Sequence, residues 1–438
     1  MKKELRDVVV VGAALFAMFF GAGNLIFPPA LGFLAGDNWF LCMLGFLLTG
    51  VGLPILGVVA IARSKGSFDL FAGRVHPAFA KILGTGIVLS IGPFLAIPRT
   101  AATVYEIGIQ PMFSDVSPVL VSALYFSITL LFVLKPSSII DKIGKFLTPA
   151  LLLIITIIIF IGVSQPMGVP LDTAFAHPFS NGFSEGYQTM DAMASILFAG
   201  LILTALKAKG YTEPKQQMKL ACQSGLIAGA GLMFVYGGLL YLGATGNNVF
   251  PAGISRADLI VSMTNTILGR TGQIAMCLVV SVACLTTAVG LTAVVGDYFS
   301  ELSGGKLAYK PVVLATTIFS ACISVSGIEN IVKLSVPLLI IAYPVIIVLI
   351  LLTLIGKNLN AGVFRGAVAG AVFVSLFDVL SYLKIETGTA GSFIAKLPFA
   401  SSGFGWILPA TLGAVLFGTL MQKMAKPVNT LSNHHHGA

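Results

Sequence analysis

Residues 19–29 of this 438-residue chain read FFGAGNLIFPP, which places two glycines, an asparagine and two prolines in a strongly apolar segment. In hydrocarbon, a backbone group without a hydrogen-bond partner costs several kcal/mol, so a helix break survives only where protein buries it or where it lines a cavity. A small-residue packing motif is the alternative, but it explains neither Asn24 nor the pair Pro28 and Pro29. We therefore predict that the helix is broken at Gly21-Ala22-Gly23-Asn24.

The composition of the whole chain indicates a membrane protein. Hydrophobic residues make up 56% of the chain and charged residues only 10%, which is more apolar than a soluble protein needs for its core. Long unbroken runs such as residues 151–161 favour helices over the short alternating segments of a barrel. The predicted fold class is therefore an all-α membrane protein.

Twelve apolar segments are suited to cross the bilayer, since a hydrocarbon layer of about 30 Å takes roughly 20 helical residues. They lie near residues 7–34, 39–62, 82–107, 118–134, 143–164, 188–206, 220–245, 271–300, 311–326, 331–355, 365–383 and 404–422. An even number of spans predicts that both termini lie on one side of the membrane.

The distribution of lysine and arginine predicts the orientation. With a cytoplasmic N-terminus, 20 of these residues fall in inside segments and 5 in outside segments, with Arg99 within the third span. Cytoplasmic loops carry such an excess, so we predict a multi-pass protein of the bacterial inner membrane with both termini in the cytoplasm. The same distribution accounts for the net charge of +9 and argues against nucleic acid as a partner; the lipid bilayer is the partner expected.

A broken helix exposes amides at the start of its second half and carbonyls at the end of its first half. These opposite partial charges suit a zwitterion, with the first amides of the second half meeting a carboxylate and the carbonyl of Phe19 meeting an ammonium. We expect a counterpart break in the sixth span around Phe198-Ala199-Gly200. Neither stretch offers a charged side chain, which favours a neutral amino acid. The predicted substrate-binding residues are Phe19, Phe20, Gly21, Ala22, Gly23, Asn24, Phe198, Ala199 and Gly200.

The eighth span carries a second candidate site, because Ala283, Thr286 and Thr287 share one helical face. Two hydroxyls and a carbonyl there, facing freed carbonyls of Ala17 and Phe20, supply five oxygens. Such a set suits Na⁺ without any carboxylate. The alternative is that the threonines bond only to their own helix, as threonines in membrane helices usually do.

The coupling ion and the gates depend on the charged residues of the spans. Spans one and eight carry no titratable group at mid-depth, which favours Na⁺ over H⁺; Asp191 and Glu106 are the groups to consider for H⁺. Arg99 and Glu106 lie two helical turns apart, and we expect them to form an outer gate with Asp191 or a plain ion-pair network. Residues 246–270 predict a short amphipathic helix over the outer mouth, either a lid or a passive connector.

Four motifs carry a resemblance to a known family. The run FAMFFGAGNLIFPPALG (residues 16–32) resembles the N-terminal signature of the branched-chain amino acid:cation symporters, the BrnQ-type carriers. The likeness extends to IGPFLAIPRTAATVYE (91–106), YQTMDAMASILFAG (187–200) and TTAVGLT (286–292). Such carriers are similar to the LeuT-type transporters, which implies discontinuous helices one and six within a single domain, residues 1–438. It also implies inverted five-helix repeats at 7–164 and 185–355 and two additional helices at 363–423.

The resemblance implies cation-driven import of leucine, isoleucine and valine by alternating access, without an organic cofactor or an obligate protein partner. Asn24 and the backbone of Gly21 to Gly23 match the substrate and ion centre of the family. Span six departs from the pattern, because it lacks a matching asparagine. The sodium site common to LeuT-type folds corresponds to Ala17, Phe20, Ala283, Thr286 and Thr287.

Three other classes stay open at this point: a carrier of another small neutral solute, a channel and a membrane enzyme. The enzyme is disfavoured, since the sequence has no HExxH motif, paired intramembrane aspartates or Ser/His constellation.

Overall fold

The computed structural model describes residues 2–134, 138–356 and 359–425, and this part of the chain contains helices and no strand, which confirms the all-α class. The α-helices are α1 (Lys2–Phe19), α2 (Ala22–Ala35), α3 (Trp39–Leu47), α4 (Leu53–Arg63), α5 (Phe68–Ala72), α6 (Pro77–Leu89), α7 (Ala96–Thr103), α8 (Pro118–Leu134), α9 (Ser138–Ser164), α10 (Pro178–Glu185), α11 (Asp191–Ala208), α12 (Pro214–Thr245), α13 (Arg256–Leu302), α14 (Tyr309–Ser324), α15 (Ile328–Ile355), α16 (Ala361–Tyr382), α17 (Gly388–Ile394) and α18 (Ile407–Ala425). Three lysines counted above toward the cytoplasmic side, Lys135, Lys357 and Lys426, lie outside the described residues.

Many of these helices are suited to a bilayer. Within the described residues, seven continuous helical stretches, some of which join several of these helices, are long and apolar enough to cross a membrane. They are Ala22–Arg63, Pro77–Ile109, Asp191–Ala208, Pro214–Thr245, Arg256–Leu302, Ile328–Ile355 and Ala361–Tyr382. Shorter apolar helices cover Pro118–Leu134, Pro149–Ser164, Tyr309–Ser324 and Ile407–Lys423. The protein is therefore a multi-pass membrane protein.

The first apolar segment is interrupted where the glycines lie. Helix α1 ends at Phe19, α2 begins at Ala22, and Gly21 between them is extended, with φ −121° and ψ −166°. Pro28 and Pro29 lie inside α2 and not at the interruption. Because proline has no N–H, these two residues leave carbonyls one turn earlier in α2 without a helical donor.

Helix α2 packs directly against α12 because glycines allow the two backbones to touch. A Cβ at Gly32 would overlap the carbonyl oxygen of Leu240, and a Cβ at Gly243 would overlap that of Pro29. Close approach through small residues is the usual way in which membrane helices associate. This contact holds the second half of the broken segment in place.

The interruption in the sixth apolar segment lies elsewhere than predicted. Helix α11 is continuous through Phe198-Ala199-Gly200, and the chain instead turns at Met190, which is left-handed with φ 61° and ψ 10°. The preceding 3-10 helix, Gly186–Thr189, ends directly before this residue. The Thr189 hydroxyl oxygen accepts the amide of Asp191 at 3.4 Å, so the first amide of α11 has a side-chain acceptor at a turn that contains no glycine. A glycine inside a helix costs only about 1 kcal/mol, which Gly200 shows is tolerated.

The third apolar segment contains two π-helical turns, Ser90–Phe94 between α6 and α7, and Val104–Ile109 after α7. Gly92 is non-helical within the first of them, with φ −88° and ψ −122°, directly before Pro93. Such turns shift the register of a helix and often occur at functional sites.

The amphipathic helix predicted in residues 246–270 is present as the N-terminal part of α13, which begins at Arg256. Ser255 caps it by accepting the amide of Asp258 at 3.0 Å, and Leu259 and Met263 are buried while Asp258 is exposed. The helix does not end there but continues to Leu302 through a bend at Gly269, which has φ 62° and ψ −157°.

Candidate functional site

A cavity of about 40 Å³ lies where α1 and α2 separate. The starts of α2 and α11 both border it, so the two interruptions of the chain meet at one place. Its lining consists of Met18, Phe19, Gly21, Ala22, Gly23, Asn24, Ile91, Ala96, Arg99, Thr100, Thr189, Met190, Asp191, Ala194, Phe198, Thr287 and Leu291. The volume is far below the roughly 300–1,000 Å³ of pockets for drug-sized ligands and corresponds to a few water molecules.

Six of the nine predicted substrate residues line this cavity: Phe19, Gly21, Ala22, Gly23, Asn24 and Phe198. The other three do not. Phe20 is buried and stacks on Phe16 at 5.4 Å between ring centres. Ala199 is fully buried within α11, and a Cβ at Gly200 would contact only the carbonyl oxygen of Gly66, at 3.8 Å.

The side chain of Asn24 organises the interruption. Its Oδ1 accepts the amide of Gly21 at 3.0 Å, a bond that replaces the one Gly21 would donate to the carbonyl of Ala17 in a continuous helix. The amides of Ala22 and Gly23 begin α2 and have no acceptor within the helix. They present the positive end of the α2 dipole to the cavity.

Asn24 also connects the interruption to a buried carboxylate. Its Nδ2 donates to Oδ2 of Asp191 at 2.6 Å and to the hydroxyl oxygen of Tyr236, whose own hydroxyl donates to the same Oδ2 at 3.2 Å. All three side chains are buried. The sequence reasoning missed Tyr236, although a tyrosine in the middle of an apolar span needs a partner for its hydroxyl.

Arg99 is a second buried charge at the cavity. Its Nη1 donates to the carbonyl of Gln188 at 2.9 Å, and its guanidinium carbon lies 5.1 Å from the centre of the Phe27 ring. Its Nε is buried without an acceptor among the described residues. Arg99 and Asp191 correct the expectation that no charged side chain lies at the interruptions.

The predicted outer gate of Arg99, Glu106 and Asp191 is not formed. Glu106 instead accepts the amide of Ile328 at 2.8 Å and borders a different cavity, of about 330 Å³. Two helical turns along an α-helix would place Glu106 below Arg99, but the π-helical turn Val104–Ile109 changes the register between them.

The ion pairs toward the predicted outer side are made by Arg256. Its Nη1 lies 2.5 Å from Oε2 of Glu329, and its Nη2 lies 3.5 Å from Oε1 of Glu185. The guanidinium carbon of Arg256 is 5.7 Å from the ring centre of Phe27, which also contacts Arg99. Arg256 therefore connects the starts of α13 and α15 to the end of α10.

The predicted sodium ligands are only partly at the cavity. Thr287 lines it, and a Cβ at Gly21 would lie 3.7 Å from its Oγ1, whereas Ala17, Phe20, Ala283 and Thr286 do not border the cavity. Both threonine hydroxyls donate to the carbonyl of Ala283, at 2.9 Å and 3.0 Å. A hydroxyl that donates keeps its oxygen lone pairs, so each can still bind a cation.

Solved structures of similar fold are membrane transporters. A nucleobase-cation-symport-1 family transporter, in a closed conformation with bromovinylhydantoin bound, matches with a TM-score of 0.64 and 12% identity over 95% of this chain and 92% of its own. MhsT in complex with L-phenylalanine matches with a TM-score of 0.53 and 16% identity over 94% of this chain and 98% of its own. At this identity the likeness shows the fold alone, which is that of the LeuT-type transporters.

Residues 4–424 match the family described as "Branched-chain amino acid transport protein", and the chain belongs to this family. It is similar to the branched-chain amino acid permease BraB of Bacillus subtilis, with 39% identity over 99% of this chain and 100% of that protein. The branched-chain amino acid transport system 2 carrier protein of Pseudomonas aeruginosa is 34% identical over 96% of this chain and 97% of its own. The protein is accordingly a transporter and not an enzyme.

Proposed function

We propose that this protein is a secondary symporter that imports leucine, isoleucine and valine by alternating access, with Na⁺ as the coupling ion. The family and the names of its relatives support the substrate class. The observation that carries the mechanism is the interruption at Gly21, where α2 and α11 begin against one small cavity. Discontinuous helices in this position bind the solute in transporters of this architecture.

The arrangement in the membrane belongs to the same proposal. The chain crosses twelve times, with the pairs α1/α2 and α3/α4 as single spans and with helices one and six discontinuous. Residues 7–164 and 185–355 form two inverted repeats, and residues 363–423 add two helices. The long and the shorter apolar helices support this arrangement, and the charge distribution supports an inner-membrane location with cytoplasmic termini.

The groups that line the cavity suit both the charged groups and the aliphatic side chain of the proposed solutes. The free amides of Ala22 and Gly23 attract a carboxylate, and the carbonyl of Phe19 ends the first half of the broken helix. The apolar lining includes Ile91, Phe198 and Leu291, which favours an aliphatic side chain. Rocking of spans one, two, six and seven against the rest would expose this site to each side in turn.

The function is tested by leucine counterflow into proteoliposomes with Na⁺ and pH gradients imposed separately. We expect an inward Na⁺ gradient to drive saturable leucine accumulation, with isoleucine and valine as competitors. Leucine accumulation driven by the pH gradient alone would show that the coupling ion is H⁺ and not Na⁺. Absence of leucine uptake under either gradient would refute the substrate class.

Thr287→Ala is expected to raise the Na⁺ concentration needed for half-maximal leucine uptake about tenfold. The change removes one of five proposed oxygen ligands, and a hydrogen bond or ligand contact to a charged group contributes about 1.5–3 kcal/mol. Thr266→Ala is the matched control, because this exposed threonine lies on the same helix and donates to its own backbone, at the carbonyl of Ser262. An unchanged Na⁺ dependence in Thr287→Ala would remove that residue from the ion site.

Arg256→Gln is expected to speed the dissociation of bound leucine by up to about tenfold. The substitution removes the two ion pairs, to Glu329 and Glu185, that we propose close the site on its outer side. Each pair is partly exposed, and such pairs contribute about 1 kcal/mol or less. The rate is measured by diluting protein loaded with labelled leucine into unlabelled leucine. Arg270→Gln, at an exposed position of the same helix, is the control, and equal rates in both variants would show that Arg256 does not close the site.

A further inference from the structure

We propose that Arg99 and Asp191 are the charged anchors of the substrate, with Arg99 binding its carboxylate and Asp191 its ammonium group. The inference rests on the proposed function and extends it, because main-chain groups alone accounted for recognition there. Both side chains line the cavity at the interruptions, and both are only 3% exposed.

Arg99 lies over the first turn of α2. A Cβ at Gly23 would be 2.6 Å from Nη2 of Arg99, so the guanidinium stands beside the amides that begin this helix. A cation at the positive end of a helix is unfavourable unless an anion lies between them. The polar contact recorded for the guanidinium is the carbonyl of Gln188, and Nε has no acceptor in the described part of the chain. The positive charge of the guanidinium and of the first amides of α2 would therefore be stabilised by a bound carboxylate.

Asp191 lies across the cavity at the first residue of α11. Its two side-chain donors, Asn24 and Tyr236, are neutral and reach the same oxygen, Oδ2. Between the described residues, the ion pairs within 4 Å do not include Asp191 or Arg99. A buried charge without a direct ion pair is costly, and a cation bound between the two interruptions would form one with Asp191.

The two anchors together define the charge pattern of the solute. Arg99 and Asp191 are the charged side chains of the cavity lining, and their charges sum to zero. A zwitterion that carries its carboxylate and its ammonium on one carbon provides a partner for both side chains. A simple anion or cation would leave one wall unpaired, which a site built for hydrogen-bonded groups rejects strongly.

The test compares three ligands that differ only in their charged groups. Leucine carries both, leucinol lacks the carboxylate, and 4-methylpentanoate lacks the ammonium. Binding to the full-length protein is measured by titrating the ligand-induced rise in unfolding temperature, which follows the ligand concentration relative to its Kd. In the unchanged protein we expect leucine to bind about 100-fold more tightly than either analogue.

Each variant is expected to lose one preference and keep the other. In Arg99→Gln, leucine and leucinol should bind within about tenfold of each other, while 4-methylpentanoate stays disfavoured. In Asp191→Asn, leucine and 4-methylpentanoate should converge while leucinol stays disfavoured. Arg270→Gln, at an exposed position, should change neither preference. If Arg99→Gln does not fold, Arg99→Lys is used instead, because lysine keeps the charge without bidentate pairing. This variant should reduce the preference for leucine over leucinol and leave the preference for leucine over 4-methylpentanoate unchanged.

Two outcomes would overturn the inference. Equal weakening of all three ligands in both variants would show that Arg99 and Asp191 only hold the helices together. Unchanged preferences in both variants would show that only main-chain groups bind the carboxylate and the ammonium of the substrate. If leucine does not stabilise the unchanged protein at all, the proposed function fails, and that result is distinct from either of these.

Discussion

Gly23→Leu is expected to abolish leucine binding, with an affinity loss of at least about 1,000-fold. A Cβ at this position would lie 2.6 Å from Nη2 of Arg99 and 3.1 Å from Cε2 of Phe27. The rest of a leucine side chain would then fill a cavity of about 40 Å³, at the place where the carboxylate meets the amides of α2. Overpacking of this kind costs about 1–3 kcal/mol even where nothing binds, and here it also removes the site.

The measurement is the leucine-dependent rise in unfolding temperature, together with uptake into proteoliposomes. Gly290→Leu is the matched control, since Gly290 is an exposed glycine of α13 and a Cβ there would meet nothing within 4 Å. Gly23→Ala should give an intermediate loss, because the flexible end of Arg99 can shift away from one methyl group. Normal leucine affinity in Gly23→Leu would refute the position of the carboxylate.

Asn24→Leu is expected to reduce leucine uptake at least about 100-fold and to lower the stability of the protein. The substitution removes the side-chain acceptor of the Gly21 amide, and it leaves the carboxylate of Asp191 and the hydroxyl of Tyr236 with only their bond to each other. A buried group that loses its partner costs about 1–3 kcal/mol, and the loss of a donor to a charged group costs more.

Tyr236→Phe provides the comparison for Asn24→Leu. It removes one donor to Asp191 but keeps the bond between Asn24 and that carboxylate, so we expect a loss of about tenfold or less. Uptake and unfolding temperature are measured for both variants in parallel. Equal effects of the two substitutions would show that Asn24 does not hold the interruption open.

The interruption in the first span could be predicted because its cause is local. Gly21 is itself the residue that leaves the helix, and Asn24 is the residue whose side chain accepts the amide of Gly21 at the start of the second half. The interruption in the sixth span has no such signal. Met190 is not a typical helix breaker, and it adopts a left-handed conformation because the groups around it, among them Thr189, hold the start of α11.

The charged anchors could not be predicted from spacing. Arg99 and Asp191 are far apart in sequence, and only the packing of the third and sixth spans brings both to one cavity. The spacing of Arg99 and Glu106 suggested a shared face, but the π-helical turn after α7 adds one residue to the turn. One residue corresponds to a rotation of about 100° around a helix, which directs Glu106 toward another cavity.

Helix α13 begins at Arg256 and carries Thr287 after the bend at Gly269, and it is otherwise continuous between these two residues. No loop separates Arg256, which lies toward the predicted outer side, from Thr287, which is proposed to bind sodium. A tilt of α13 at one end must therefore move the other end as well, unless the helix bends at Gly269. Under the proposed function, the stiffness of the helix at this glycine determines how far a tilt caused by ion binding at Thr287 is transmitted to Arg256.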